Sequence, residues 1–234
     1  MHAPLSIVIP TLNAAEHLSA TAEALMEGVS GGLIREVVVT DGGSTDETET
    51  LARALGSVWV AGPPGRGGQL RRGVEASQGQ WVLLLHADTH LSPGWAAVAH
   101  HHMRERAEYA GWFQLRFRAK GGAPRLVEFG ANLRARLLRL PYGDQGLLLR
   151  RSLLEEVGGV PDVPLMEDVA LARALSGRLV GLDARAHTSA DRYEADGWMR
   201  RVLQNLGTLA RYQFGMSPDA LKKRYEAGPS DVGK

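Results

Sequence analysis

Between Leu5 and Leu85 the chain alternates apolar runs of strand length with segments of helical periodicity, and this alternation constrains the fold more than any other feature. Leu5–Ile9, Glu36–Thr40, Val58–Ala61 and Trp81–Leu85 read as strands: β-branched and large apolar runs bounded by Pro, Gly or polar residues. Ala14–Glu27 carries Leu18, Ala22 and Leu25 at helical spacing and stops at Gly28, and Thr45–Leu55 stops at Gly56. The Gly-rich loop 62–68 feeds a third helix that runs to about Ser77. Such strand–helix repeats predict an α/β fold with a Rossmann-like, mostly parallel central sheet, right-handed crossovers and flanking helices.

Three of the strands end in polar residues. Trp81–Leu85 ends in His86-Ala87-Asp88, the first strand in Pro10-Thr11-Leu12-Asn13, and the second runs into Asp41-Gly42-Gly43-Ser44-Thr45-Asp46. Ligands of open α/β sheets bind outside the carboxyl ends of the strands, so these ends describe a site.

The second half changes character. Pro93–Arg106 and the Arg-rich Leu126–Leu140 read as helices, and Trp112–Arg118 alternates like a half-exposed strand. Leu147–Leu149 is a short strand leaving the turn Gly143-Asp144-Gln145; Glu167–Leu175 is a helix, and Trp198–Phe214 a last helix. This places a helical extension after the sheet, in one domain over residues 1–227, with a polar, disordered tail over 228–234.

Composition narrows the function. The net charge of +1 lacks the basic excess of a nucleic-acid binder. Without cysteine there are no disulfides or thiolate metal sites, and any metal takes oxygen or imidazole ligands. No charged and apolar leader opens the chain, and no run approaches the ~20 apolar residues of a membrane span. The expectation is a cytoplasmic protein with no integral membrane segment. Arg200, Arg201 and Arg211 beside an apolar face leave peripheral membrane contact open, although a terminal helix packed on the core explains the same pattern.

Each polar cluster has a bland reading beside a chemical one. Gly42-Gly43 makes a turn, and Ser44 or Thr45 caps the next helix with Glu47 as box partner, but neither requires an acid at Asp41, which can accept from a nucleobase N–H. Arg66 and Gln69 lie where the Gly-rich loop enters a helix, a place for phosphate or a solvated basic face with Arg71 and Arg72. Asp88 either caps a turn or holds Mg²⁺ or Mn²⁺ together with phosphate oxygens. Glu167-Asp168 opens a helix, where the dipole favours acids, and either residue can serve as a general base. His86 reads first as a near-core histidine, and the segments around Asp144 and around His187–Arg192 read singly as turn chemistry.

In order, Ile9–Asn13, Thr40–Asp46, His86-Ala87-Asp88 and Glu167-Asp168 resemble the motif series of family 2 glycosyltransferases, over nearly the whole chain to about Tyr225. Leu85–Thr89, Gly143–Gly146 and Thr188–Arg192 resemble more narrowly a compact bacterial subgroup labelled radical-SAM/selenodomain-associated or arsenosugar-biosynthesis glycosyltransferases. The resemblance implies a GT-A fold and transfer with inversion at the anomeric carbon from a UDP- or GDP-sugar, assisted by a divalent cation. It implies nucleotide contacts from Thr11, Asp41, Gly42, Arg66 and Asp88, with Asp88 on the metal. Asp168 becomes the base, and Asp144, Gln145, Glu167 and Arg192 line the acceptor or diphosphate. Two positions depart from the pattern. His86 replaces the first acid of the metal motif, leaving His86 or His187 to complete the site, and Asp191 stands where a second Arg is expected.

Two other readings compete. A sugar-phosphate nucleotidyltransferase shares the sheet order but carries a Gly-rich, Arg- and Lys-containing loop after the first strand, where this chain has Pro10–Ala15. A nucleotide-binding GT-A-like module with impaired catalysis accommodates His86 and Asp191.

Overall fold

Alternate residues of the central strands turn to opposite faces of the sheet, and both faces are dry. The computed structural model describes residues 3–227. β1 (Leu5–Thr11), α1 (Ala15–Ser30), β2 (Ile34–Asp41), α2 (Thr48–Ala54), β3 (Val58–Ala61), α3 (Arg66–Ala76) and β4 (Trp81–Leu84) form the expected alternating half. Ile7, Ile9 and Leu83 point into one apolar cluster with Leu18 and Leu25 of α1 and Ala52 of α2. Val8, Val82 and Leu84 point into a second, with Leu70 of α3. Two-sided burial explains why these strands read as continuous apolar runs.

The rest of the chain comprises β5 (His90–Leu91), α4 (Trp95–Glu105), β6 (Ala110–Phe117), α5 (Gly122–Leu137), β7 (Leu147–Arg150), α6 (Arg151–Glu156), α7 (Glu167–Ala174), β8 (Leu179–Thr188), α8 (Asp191–Asp196), α9 (Trp198–Gln213) and α10 (Pro218–Ala227). The strands form one sheet in the order β3-β2-β1-β4-β7-β6-β8-β5. β1 pairs in parallel with β2 and β4, and β6 with β8, whereas β7 runs antiparallel to both β4 and β6.

Several expectations need correction. The strand expected at Trp112–Arg118 lies between β7 and β8, so Trp112 and Phe113 at its start are buried on opposite faces, whereas from Gln114 to Arg118 buried Leu115 and Phe117 alternate with more exposed residues as expected. Ser44 and Thr45 do not cap α2: Glu47 is its N-cap residue and makes no side-chain cap bond, because Ser44 binds Asp41 instead. β5, β8, α6 and α8 join the elements expected, and α10 follows the helix expected to be last. The tail 228–234 lies outside the described residues. Among the described residues no helix is long and apolar enough to cross a membrane.

α3 sits unusually close to the sheet. A Cβ on Gly73 would collide with Val8 Cγ1 and lie 2.7 Å from Thr40 Cγ2, so glycine is what lets this helix bring Arg66 and Gln69 to the strand ends.

Candidate active site

The carboxyl ends of β1, β2 and β4 meet the starts of α3 and α7 and the 3₁₀ turn Gly143–Gln145. Thr11 and Asp41 are register partners, and Thr11 Oγ1 donates to Asp41 Oδ1 at 3.0 Å. Ser44 Oγ donates to the same oxygen at 2.5 Å, and the Gly43 and Ser44 N–H groups donate to Oδ2 at 2.7 Å each. Burial pushes the Asp41 carboxyl up, but the bonds from Ser44, Gly43 and Thr11 outweigh it and hold the pKa below the ordinary carboxylate range. Asn13, in the left-handed region at φ 51°, accepts from Thr45 N with its side chain, and its own N–H donates to Ser44 Oγ. The Asp41–Asp46 loop is thus bonded to the end of β1 from both sides.

Gln69 belongs to this scaffold. It is buried, its Nε2 donates to the carbonyls of Thr11 (2.7 Å) and Thr40 (2.8 Å), and its Oε1 accepts from Gly65 N. Its amide therefore ties the two strand ends to the Gly-rich loop and is not directed at phosphate. Gly42 packs against the same amide, its virtual Cβ 3.1 Å from Gln69 Oε1.

On the far wall, Met166 adopts φ 67° as the N-cap residue of α7, a left-handed conformation uncommon for such a side chain, and launches Glu167 and Asp168. Asp168 accepts from Gly143 N at 2.9 Å with Oδ2 and from Val169 N at 2.7 Å with Oδ1, so its orientation is fixed by backbone. Glu167 is buried, with Oε1 3.3 Å from Arg66 Nη1 and Oε2 without a hydrogen-bond partner among the described residues. Burial, then the neighbouring Asp168, push the Glu167 pKa up, and Arg66 opposes them.

The floor is made of His86, Asp88 and Asp144. His86 Nε2 is shielded and unpartnered among the described residues, and a Cβ on Gly143 would lie 2.6 Å from it. Burial, with Arg66 nearby, lowers its pKa to about 4, which makes it a neutral imidazole at physiological pH. Asp144 Oδ1 is likewise buried without a partner; burial raises this carboxyl to about 6, with Asp168 and Asp88 adding to the rise and Arg134 opposing it. Behind the acids lies a small cavity of about 30 Å³, lined by apolar side chains such as Leu84 and Leu171.

Gln145 is fully buried, accepts from Tyr142 N and donates toward Phe113 O and Asn132 Oδ1, so it holds the turn and does not face the cleft. Arg192 is exposed in the first turn of α8, near enough to influence His86. Asp191 lies 3.8 Å from His17 of α1 and is largely exposed. His187 lies on β8 opposite His90, and Arg118 Nη1 reaches both the Asp88 carbonyl at 2.6 Å and the His187 carbonyl at 3.4 Å; burial, then Arg185 and Arg116, lowers the His187 pKa. Among the described residues no three His, Asp or Glu side chains form a group able to hold a metal. The donor set that remains, one cleft carboxylate at Asp88 beside a neutral imidazole, suits an oxygen-seeking ion only where diphosphate oxygens fill out its shell.

Two contributors escaped the sequence reading. Tyr142 carries Arg134 over its ring at 3.3 Å, which closes the turn from the α5 side. Arg118 Nη1 donates to the Asp88 carbonyl at 2.6 Å and pins that loop. The alternation of Arg116 and Arg118 with apolar residues was a readable signal for the latter; nothing local marked Tyr142.

A nucleotide-type α/β sheet with acids gathered at its carboxyl edge defines the class, and comparison with known proteins identifies the family. Residues 6–158 match Glycosyl transferase family 2, and the chain belongs to that family. It is 34% identical over 93 residues to the glucosyl-3-phosphoglycerate synthase of Mycolicibacterium smegmatis, a match covering 36% of this chain and 30% of that protein. The matched region thus spans about a third of that relative. Among solved structures, glucosyl-3-phosphoglycerate synthase from Mycobacterium tuberculosis in complex with Mn²⁺, UDP and glucosyl-3-phosphoglycerate superposes with a TM-score of 0.59 at 23% identity, over 87% of this chain and 78% of that one. S. aureus TarS 1–349 in complex with UDP-GlcNAc gives a TM-score of 0.63 at 16% identity, over 80% and 58%. These likenesses establish the GT-A type of fold.

Proposed function

We propose that this chain is an inverting glycosyltransferase, one domain over residues 1–227, that moves a sugar from a nucleotide-diphosphate sugar to an acceptor hydroxyl with Asp168 as general base. The observation that carries this reading is the Asp168 carboxylate, clamped by the Gly143 and Val169 N–H groups at the rim where Asp88, Asp144 and Arg66 converge. Both of its oxygens keep a free lone pair after those bonds, so it can accept a proton without rotating. In a single displacement the acceptor oxygen attacks the anomeric carbon, the bond from that carbon to the diphosphate breaks, and the acceptor proton passes to Asp168. The nucleoside diphosphate leaves with the bonding electron pair.

The relatives crystallised with UDP or a UDP-sugar favour a UDP-sugar donor over a GDP-sugar. The base and ribose are assigned to the Thr11–Gly42 edge. Because Asp41 already accepts four hydrogen bonds, two on each oxygen, it acts chiefly by holding the loop, and a nucleobase N–H reaches it only by displacing one of them. Arg66 and Arg192 lie on the diphosphate side. Asp88, with His86 behind it, would hold Mn²⁺ or Mg²⁺ together with the diphosphate, and such an ion neutralises charge on the leaving group. Glu167 and Asp144 face the acceptor, while Gln145 supports them from the core.

Asp168→Asn tests the base. The expected result is a fall in turnover of about 10²–10⁴-fold with UDP affinity unchanged; near-normal turnover would remove Asp168 from the role. A second reading, a nucleotide-binding module with impaired catalysis, is favoured by one observation, the histidine in place of an acid at His86. UDP binding indifferent to metal, with no transfer or hydrolysis of any UDP-sugar, would establish it.

A further inference from the structure

Nine of the fourteen large exposed apolar side chains among the described residues fall on α5, on α9 or on the residue just beyond each. On α5 they follow one stripe, Leu126, Phe129, Leu133 and Leu137, at spacings of three and four residues. On α9, Met199, Leu203 and Leu206 form a second stripe, and Phe214 beyond its end is 92% exposed. The inner faces of both helices are satisfied: Val127 and Ala131 of α5 and Trp198 of α9 pack on one small cluster around Leu115 and Phe117. The two helices touch, so their outer stripes are neighbours. A monomer rarely exposes so many large apolar residues in one region without a partner for them.

Charge selects the partner. The two helices contain a single acid, Glu128, which is buried and paired with Arg116 and Arg125. Exposed cations border the stripes: Lys120 before α5, Arg136 and Arg139 at its end, and Arg200 on α9. Acids occur nearby on α8: Asp196 is paired with Arg201, while Asp191 and Glu194 are exposed and fewer than the cations that border the stripes. The formal charge of the whole chain is only +1, so the basic bias belongs to this face. An isologous contact with a second copy would set these cations against themselves. An anionic lipid surface satisfies both features, taking the apolar side chains at the acyl boundary and the cations at the headgroups.

We propose that the α5–α9 face docks the protein onto a bilayer containing anionic phospholipid. α5 also carries Arg134 to Tyr142, so the docked face adjoins the active site.

Co-sedimentation with vesicles tests this, using phosphatidylcholine alone and phosphatidylcholine with about a quarter phosphatidylglycerol, at about 0.1 M and about 1 M salt. The purified full chain should pellet with the anionic vesicles at low salt and remain in solution with phosphatidylcholine. Leu203→Glu/Leu206→Glu should lower partitioning by about tenfold or more. Arg136→Glu/Arg139→Glu, at exposed positions and checked to keep the wild-type melting temperature, should lower it by roughly fivefold per charge removed. No pelleting with anionic vesicles, or equal pelleting of wild type and both variants, overturns the proposal. So does a lipid-free dimer, seen by light scattering, that the Leu203→Glu/Leu206→Glu variant dissociates; the face would then join two copies of the chain.

Discussion

Asp144 and His86 share one buried floor and respond to pH in opposite directions. Asp144 is raised to about 6, so the folded state holds its proton more tightly than the unfolded state, and this group's contribution to stability is lost as pH rises from about 4 through 6. His86 is lowered to about 4, so the folded state resists protonation, and its contribution is lost as pH falls from 6.5 through about 4. The two slopes oppose each other across the same window. Asp144→Asn should therefore raise the melting temperature at neutral pH and steepen the loss of stability on acidification. His86→Gln should flatten that loss. Thermal denaturation of both variants between about pH 4 and pH 7.5 reads the signs directly, and an Asp144→Asn variant less stable than wild type at neutral pH would show the carboxylate to be well paired. The acids themselves were legible in the sequence, because each stands where an element begins or ends. Their surroundings were only partly so: three of the four bonds on Asp41 come from Gly43 and Ser44 next door, but the fourth comes from Thr11 thirty residues away, and the left-handed Asn13 and Met166 are backbone torsions that residue type alone does not dictate.

At the scale of elements, the close seat of α3 on β1 and β2 decides where Arg66 meets Glu167. A methyl group at Gly73 has nowhere to go, since Val8 and Thr40 already fill the space. Gly73→Ala should cost about 1–3 kcal/mol, seen as a lower denaturation midpoint with an unchanged m-value. By lifting α3 it should also weaken UDP binding, although the residue touches no ligand. A variant of wild-type stability would mean that the helix rides freely on the sheet. The alternating half was readable because each strand is apolar on both faces and each helix has its own stop signal. β8 escaped notice although Leu182, Ala184 and Ala186 alternate cleanly, because Gly181, Asp183 and the two small alanines are residue types depleted in strands. At the end of β6 the alternation over Gln114–Arg118 was readable, but the double-sided burial of the strand's first residues was not, because it is imposed by β7 alongside Gly111 and Trp112 and nothing in its own sequence announces that neighbour.

For the whole molecule, the antiparallel β7 lies in the sheet between β4 of the nucleotide-type half and β6, just after the turn that supplies Asp144, so each side of the cleft comes from a different part of the chain. A ligand that spans the cleft should therefore stabilise both halves together. Free UDP at about a hundred times its dissociation constant contributes about 2.7 kcal/mol to the folded state, which for a chain of this size corresponds to a melting-temperature rise of roughly 5–10 °C. Asp88 lies on one side and offers a single carboxylate to any ion, so the rise should need Mn²⁺ and UDP together: each alone should do little, and chelation should abolish it. Asp88→Ala should reduce the shift with Mn²⁺ to that with UDP alone, whereas Asp168→Asn, on the opposite wall, should keep it in full. Equal shifts with Mn²⁺ and with chelator would separate nucleotide binding from metal, and would move the task of neutralising the diphosphate to Arg66 and Arg192, where charge-reversal variants could then locate it.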